Sequence, residues 1–194
     1  MELRATALWM SGSEPEGQEF AILLERAIAG DVSAFEQIIA RYERRVISVA
    51  WRLLGRPEDA EDAAQEVFLR AFRYLHRFDR RRRFEPWLIK MTVNVCHDLG
   101  RKRRQHPESA GDPDAVCGSG SPHEDLHSEE QKRLLYKALQ ELPEKERAAI
   151  VLRDIEGLST AEVAGILSSS EATVRSQIST ARLKIRKALE RRRL

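Results

Sequence analysis

Between Gln105 and Ser121 the helical periodicity of the flanking segments stops: QHPESAGDPDAVCGSGS is dominated by Pro, Gly, Ser and Asp. A segment of this composition cannot hold a regular element and acts as a flexible linker. A chain of 194 residues allows one domain or two small ones, and an interruption of this kind divides it into two. The divisions are a loose segment over 1–18, a first unit over 19–105, a linker over 106–124 and a second unit over 125–194. With a reach of about 5–6 Å times the square root of its length, the linker lets the two units separate and reorient.

Both units read as helical, and no strand alternation of any length is present, so the fold class is all-α. In the first unit a helix is expected over Glu19–Ala29, stopped by Gly30, with Asp31 as the next N-cap. Ser33–Leu54 follows, with Phe35, Ile38, Ile39, Tyr42, Val46, Val49, Ala50 and Leu53 inward and Gly55 ending it. Pro57 suits a first turn. Glu58, Asp59, Glu61 and Asp62 crowd the positive end of the next helix dipole. That helix runs to about His76 and is expected to bury Ala60, Ala63, Ala64, Val67, Phe68, Ala71, Phe72 and Leu75. The second unit offers helices at Leu126–Glu141, Glu144–Asp154 after the Pro143 break, Ser159–Leu167 and Glu171 to about Arg193.

Two stretches carry chemistry. In Phe84–Arg104, Phe84, Trp87, Leu88, Met91, Val95 and Leu99 form one apolar stripe, while Lys90, Asn94, His97 and Arg101 share another face. Arg80–Arg83 precede this helix and Arg101–Arg104 end it, so positive charge flanks a mostly polar exposed middle. Such a helix can hold a nucleic-acid strand; an amphipathic helix with solvated ends is the other reading. The second stretch is GLSTAEVAGILSSSEATVRSQISTARLKIRKAL. Ser159 and Glu162 make a capping box, Val163, Ile166 and Leu167 face inward, and Ser168-Ser169-Ser170 is a turn. Ser170 can cap a helix that buries Val174, Ile178, Ala181 and Ile185 and presents Thr173, Arg175, Ser176, Gln177, Thr180 and Arg182. This is helix-turn-helix grammar, and those side chains suit a major groove. An ordinary helical hairpin has the same periodicity.

The net charge is only +2, with acids and arginines segregated along the chain, so a partner meets local patches rather than a uniformly basic surface. Two cysteines, Cys96 and Cys117, make no disulfide framework and fit a reducing compartment. No run near the start is apolar enough for a signal peptide or membrane span, which makes the cytoplasm the expected location. Cys96, His97, Cys117, His123 and His127 could be metal ligands, but no CxxC is present, and solvated histidines are the simpler reading; no cofactor is expected. There is neither a GxxxxGK[ST] phosphate loop nor a nucleophile elbow, so no enzymatic activity is expected. A self-sufficient helix-turn-helix repressor remains a rival.

PEDAEDAAQEVFLRAFRYLHRF and FEPWLIKMTVNVCHDLGRKRR in the first unit, with LPEKERAAIVLRDIEGLSTAEVAGIL and TVRSQISTARLKIRKAL in the second, resemble the bacterial extracytoplasmic function (ECF, group 4) sigma factors. The resemblance covers nearly everything after residue 18. It implies sigma domain 2 in the first unit, for polymerase binding and −10 recognition, and sigma domain 4 in the second, for −35 recognition. It further implies a role in promoter recognition and melting, partnership with core RNA polymerase (β′ clamp helices and β flap) and promoter DNA, and control by an anti-sigma factor in a stress response. Asp59, Asp62, Gln65, Glu66 and Phe68 then fall on the polymerase contact. The Phe78–Glu85 loop falls where a flipped −10 base is received, with Phe78, Arg80, Arg83, Lys90, Asn94 and Arg101 as contacts. Trp87 is read as mostly core, and Asp98 as a partner for a neighbouring arginine. The −35 set is Thr173, Arg175, Ser176, Gln177, Thr180 and Arg182. The chain departs from the family pattern where Gln177 and Thr180 replace frequent arginines. Ser168 and Ser169 replace a Gly and an apolar residue, and arginines fill the 80–83 loop where a Gly is usual. Two fewer phosphate contacts would flatten the salt dependence by roughly two units of slope at most.

Overall fold

The computed structural model describes residues 17–105 and 126–192. The loose segment expected at the start and the linker, with Cys117 and His123, lie outside the described residues. The first unit comprises α1 (Gln18–Ile28), α2 (Val32–Leu54), α3 (Pro57–Tyr74), a 3-10 turn at Leu75–Arg77, and α4 (Phe84–Gln105). The second comprises α5 (Leu126–Gln140), α6 (Glu144–Ile150) continuing into a π turn at Val151–Ile155, α7 (Thr160–Leu167) and α8 (Glu171–Arg192). No strand occurs among the described residues.

Local chemistry sets the boundaries. Gly30 at φ 96° and Gly55 at φ 86° take the left-handed conformation that stops a helix. Asp31 caps α2: its carboxylate accepts from the Ala34 amide at 3.2 Å, from Ser33 Oγ at 2.7 Å and from Arg26 Nη2 at 2.7 Å. Those donors, Ser33 first, then Arg26 and the Ala34 amide, pull its pKa from 3.8 to about 2. Because the folded pKa is depressed, the cap's contribution is complete above about pH 4 and is lost as pH falls toward 2. Acid titration of helicity should therefore show a step in that window that Asp31→Asn lacks; identical titrations would remove the cap from the acid response.

The first core gathers Phe20, Phe35, Ile38, Tyr42, Val46, Val67, Phe68, Phe84, Leu88 and Val95 from all four helices. Phe84 stands at its centre, its ring 5.4–5.6 Å from those of Phe20, Tyr42, Phe78 and Trp87. On α3 the buried stripe consists largely of alanines, Ala60, Ala63, Ala64 and Ala71, which bring its backbone close to its neighbours. Phe72 does not belong to that stripe: the sequence pattern places it inside, whereas the structure leaves it 51% exposed with its ring against Phe35 at 5.1 Å.

The two units are in contact. Helix α4 carries a second buried stripe, Ile89 and Val93, which with Val49 of α2 joins one apolar cluster with Leu152, Leu158, Val163, Ala164 and Ile166 of the second unit. The exposed middle anticipated for α4 is thus half covered.

Candidate nucleic-acid interface

Helix α3 turns Glu58, Glu61, Asp62, Gln65, Leu69 and Phe72 to solvent. Two of the acids read as contact residues are already engaged. Asp59 meets Arg103 at 2.9 Å and Arg56 at 4.0 Å. Glu66 holds Arg70 at 2.6 Å, and Arg70 reaches on to Asp98 at 3.3 Å, which raises the pKa of the guanidinium. Asp98 thus does hold a neighbouring arginine. Phe68 is buried, as the apolar spacing of α3 predicts: at 8% exposure it lies inward beside Val67, so it is not part of the outward face on which the resemblance places the polymerase contact. The apolar residues that this face offers are Leu69, which the expected buried stripe leaves out, and Phe72, which it places inside.

The loop before α4 is a tight turn. The Arg82 amide donates to the Asp79 carbonyl at 2.9 Å, and the Arg81 amide to the Asp79 side chain at 3.1 Å. Arg80 and Arg81 project into solvent, and Arg82 lies 3.5 Å from Asp79. Phe78 is a second correction: it is buried, edge-on to Phe84 and Trp87, so it supports the loop from below. Trp87 belongs to the same aromatic group and is partly buried, in keeping with its core reading. Asn94 is exposed, and Arg101 lies 3.8 Å from Asp98. Lys90 and Arg83 are engaged by the second unit. Lys90 Nζ donates to the Gly165 carbonyl at 3.3 Å, and Arg83 meets Glu162 at 3.3 Å.

In the second unit the capping box is present. The Glu162 amide donates to Ser159 Oγ at 3.2 Å, and the Ser159 amide donates to the Glu162 carboxylate at 2.8 Å. Ser168 adopts φ 50°, the left-handed region in which glycine is free of strain. Ser170 caps α8 by accepting from the Thr173 amide at 3.1 Å. Val174, Ile178 and Ala181 face inward; Thr173, Arg175, Ser176, Thr180 and Arg182 face outward. Gln177 departs from the expected exposed set, being half-buried with its Oε1 shielded and without a hydrogen-bond partner among the described residues. Arg175 rests on Glu171 at 3.2 Å. Arg182 is gripped in bidentate fashion by Asp154, at 2.8 and 2.7 Å. Those hydrogen bonds raise the Arg182 pKa.

Cys96 is buried, which pushes its thiol pKa up to about 12 and makes it inert as a ligand or nucleophile. Among the described residues no three His, Cys, Asp or Glu side chains stand together to hold a metal ion, and no helix is long and apolar enough to cross a membrane.

Two helical units, one with an acidic and apolar helix face beside a basic edge and one with a helix-turn-helix, define a nucleic-acid-binding protein. Residues 38–106 match Sigma-70 region 2, and residues 132–185 match Sigma-70, region 4. The chain is 32% identical over 178 residues to the RNA polymerase sigma-H factor of Pseudomonas aeruginosa, covering 87% of this chain and 92% of that protein. It is 33% identical over 172 residues to the ECF RNA polymerase sigma-E factor of Escherichia coli K12, covering 83% of this chain and 89% of that protein. A solved structure of CnrH in complex with the cytosolic domain of CnrY superposes with a TM-score of 0.66 at 28% identity, over 88% of this chain and 96% of that one. The chain belongs to the ECF class of the sigma-70 family.

Proposed function

We propose that this chain binds core RNA polymerase, directs it to a set of promoters and supports opening of the duplex. The observation that carries this reading is the pairing, in one chain, of the α3 face with the exposed edge of α4 and the outward face of α8. The α3 face offers Asp62 and Gln65 beside Leu69 and Phe72, a mixed charged and apolar surface suited to a basic, partly apolar helical partner. Beside it, Asn94, Arg80 and Arg101 form an edge for an unstacked strand. On α8, Thr173, Arg175, Ser176, Thr180 and Arg182 suit an upstream major groove. The chain itself makes and breaks no bond. CnrH, the fold relative, is held by the cytosolic domain of CnrY; control by an anti-sigma protein is the corresponding expectation here.

The full chain with core polymerase should bind promoter duplex tightly and selectively, and the chain alone should bind it poorly. Tight stand-alone binding to a palindrome would favour a dimeric repressor instead. Within the holoenzyme, Asn94→Ala should cut open-complex formation about tenfold or more, read by reactivity of unpaired thymines, while polymerase affinity stays as it was. Equal loss of both would sink the strand-capture role of Asn94.

A further inference from the structure

The chain leaves α3 through the 3-10 turn at Leu75–Arg77, and this turn directs an aromatic ring outward. In 3-10 geometry side chains three residues apart eclipse one another. Leu75 and Phe78, three apart, are buried and pin the turn to the core. Tyr74 and Arg77, also three apart, are thereby both held outside, Tyr74 at 37% exposure. The Arg77 guanidinium lies over the Tyr74 ring, its central carbon 5.5 Å from the centroid, within the range of a cation–π contact. Arg77 Nε also donates to His76 Nε2 at 3.3 Å, so the guanidinium plane is held from a second side.

The position of this pair follows from the register of α3 and α4. Asp59 meets Arg103 near one end of the two helices, and Arg70 meets Asp98 further along, so the helices run antiparallel. Glu66, Arg70 and Tyr74 follow one another at intervals of four, which makes them one row on α3. Arg70 places that row along the border with α4. Tyr74 stands one turn beyond Arg70, and Asn94 one turn before Asp98, so the two exposed side chains lie at the same level of the helix pair. The turn carrying the exposed Arg80 and Arg81 begins three residues after Arg77. Arg73 is exposed as well, whereas the acid of this segment, Asp79, is occupied by Arg82 and by the Arg81 amide.

We infer that the Tyr74–Arg77 pair is a stacking platform for one unstacked base of a DNA strand, at the level of Asn94 and next to the arginine turn. Every base has a π-face, and a planar guanidinium stacks on a base as an aromatic ring does, while its charge attracts the neighbouring phosphate. A ring that already carries a guanidinium, set among exposed arginines, suits a base between phosphates better than an apolar protein surface. The inference rests on the strand-binding edge given under Proposed function and adds to it a residue pair and a mode of contact.

The test uses the full chain assembled with core RNA polymerase and, as probe, a short oligothymidine carrying a fluorescent adenine analogue whose emission falls when it stacks. Core polymerase alone sets the background. Tyr74→Ala and Arg77→Ala should each weaken strand binding about tenfold and remove most of the quenching. Tyr74→Phe should behave as the wild type, and Arg77→Lys should fail to restore quenching, because an ammonium has no plane to stack. Helicity and polymerase affinity should be unchanged in each variant, since both side chains are exposed. A wild-type assembly that binds the strand no better than core polymerase alone would refute the strand-binding reading and the platform with it. Loss of binding in Asn94→Ala without loss in Tyr74→Ala would overturn the platform alone and leave that reading in place. Full rescue by Arg77→Lys would reduce the contact to charge and overturn the stacking. A fall in polymerase affinity in Tyr74→Ala would give the ring to the polymerase contact and overturn the platform.

Discussion

Phe84→Ala is expected to lower the free energy of unfolding by about 3–5 kcal/mol, the range for truncating a fully buried phenylalanine. The ring is 1% exposed and is enclosed by Phe20 of α1, Tyr42 of α2, and Phe78 and Trp87 on either side of the turn into α4. These partners come from separate elements, so no single shift can refill the space, and each ring loses an edge or face contact. Small domains are stable by only about 5–15 kcal/mol, so the loss is a large share of the total. Urea unfolding followed by circular dichroism gives the value. A loss below about 1 kcal/mol would show that the cluster can collapse around the missing ring. Phe78, next to the arginine loop, rests on Phe84, so the variant should also loosen that loop before the chain unfolds.

Asp62→Lys combined with Leu69→Ala should weaken binding to core RNA polymerase about a hundredfold and leave thermal stability nearly unchanged. Both side chains are exposed on α3, Leu69 at 63%, and neither contributes to the packed interior. Reversing a complementary charge and removing an apolar anchor are each taken at about 1.4 kcal/mol, a factor of ten apiece. The choice of Asp62 over Glu66 matters, because Glu66 also holds Arg70 and through it Asp98, so its replacement would disturb α4 as well. Equilibrium titration against core polymerase is the measurement, and an unchanged dissociation constant would remove this face from the polymerase contact.

Most of the helices were legible in the residues alone, since their signals are local. Gly30 and Gly55 stop helices by taking positive φ, Asp31 and Ser159 supply caps within three residues, and Pro143 interrupts the chain where α6 begins. The exposed set on α8 was equally readable, apart from Gln177, which is half-buried. The errors share one cause. Phe72 is an apolar residue whose side could not be assigned by period alone: the alanine stripe draws α3 inward on a line that keeps Phe68, as its spacing predicted, and excludes Phe72. Phe78 lies in a loop, where no period applies.

By itself, the sequence determined an all-α chain in two units, with a capped helix-turn-helix in the second and acid and arginine segregated in the first, because spacing, caps and breakers act over a few residues. Only the tertiary structure decided which charges remain available. Asp59, Arg83, Lys90 and Arg182 are all engaged by other residues, through contacts 28 to 79 positions away. It also decided that Ile89 and Val93 form a second buried stripe on α4, since that depends on a partner surface more than fifty residues further along the chain. Pairing and burial across such separations follow from packing, which no local pattern encodes.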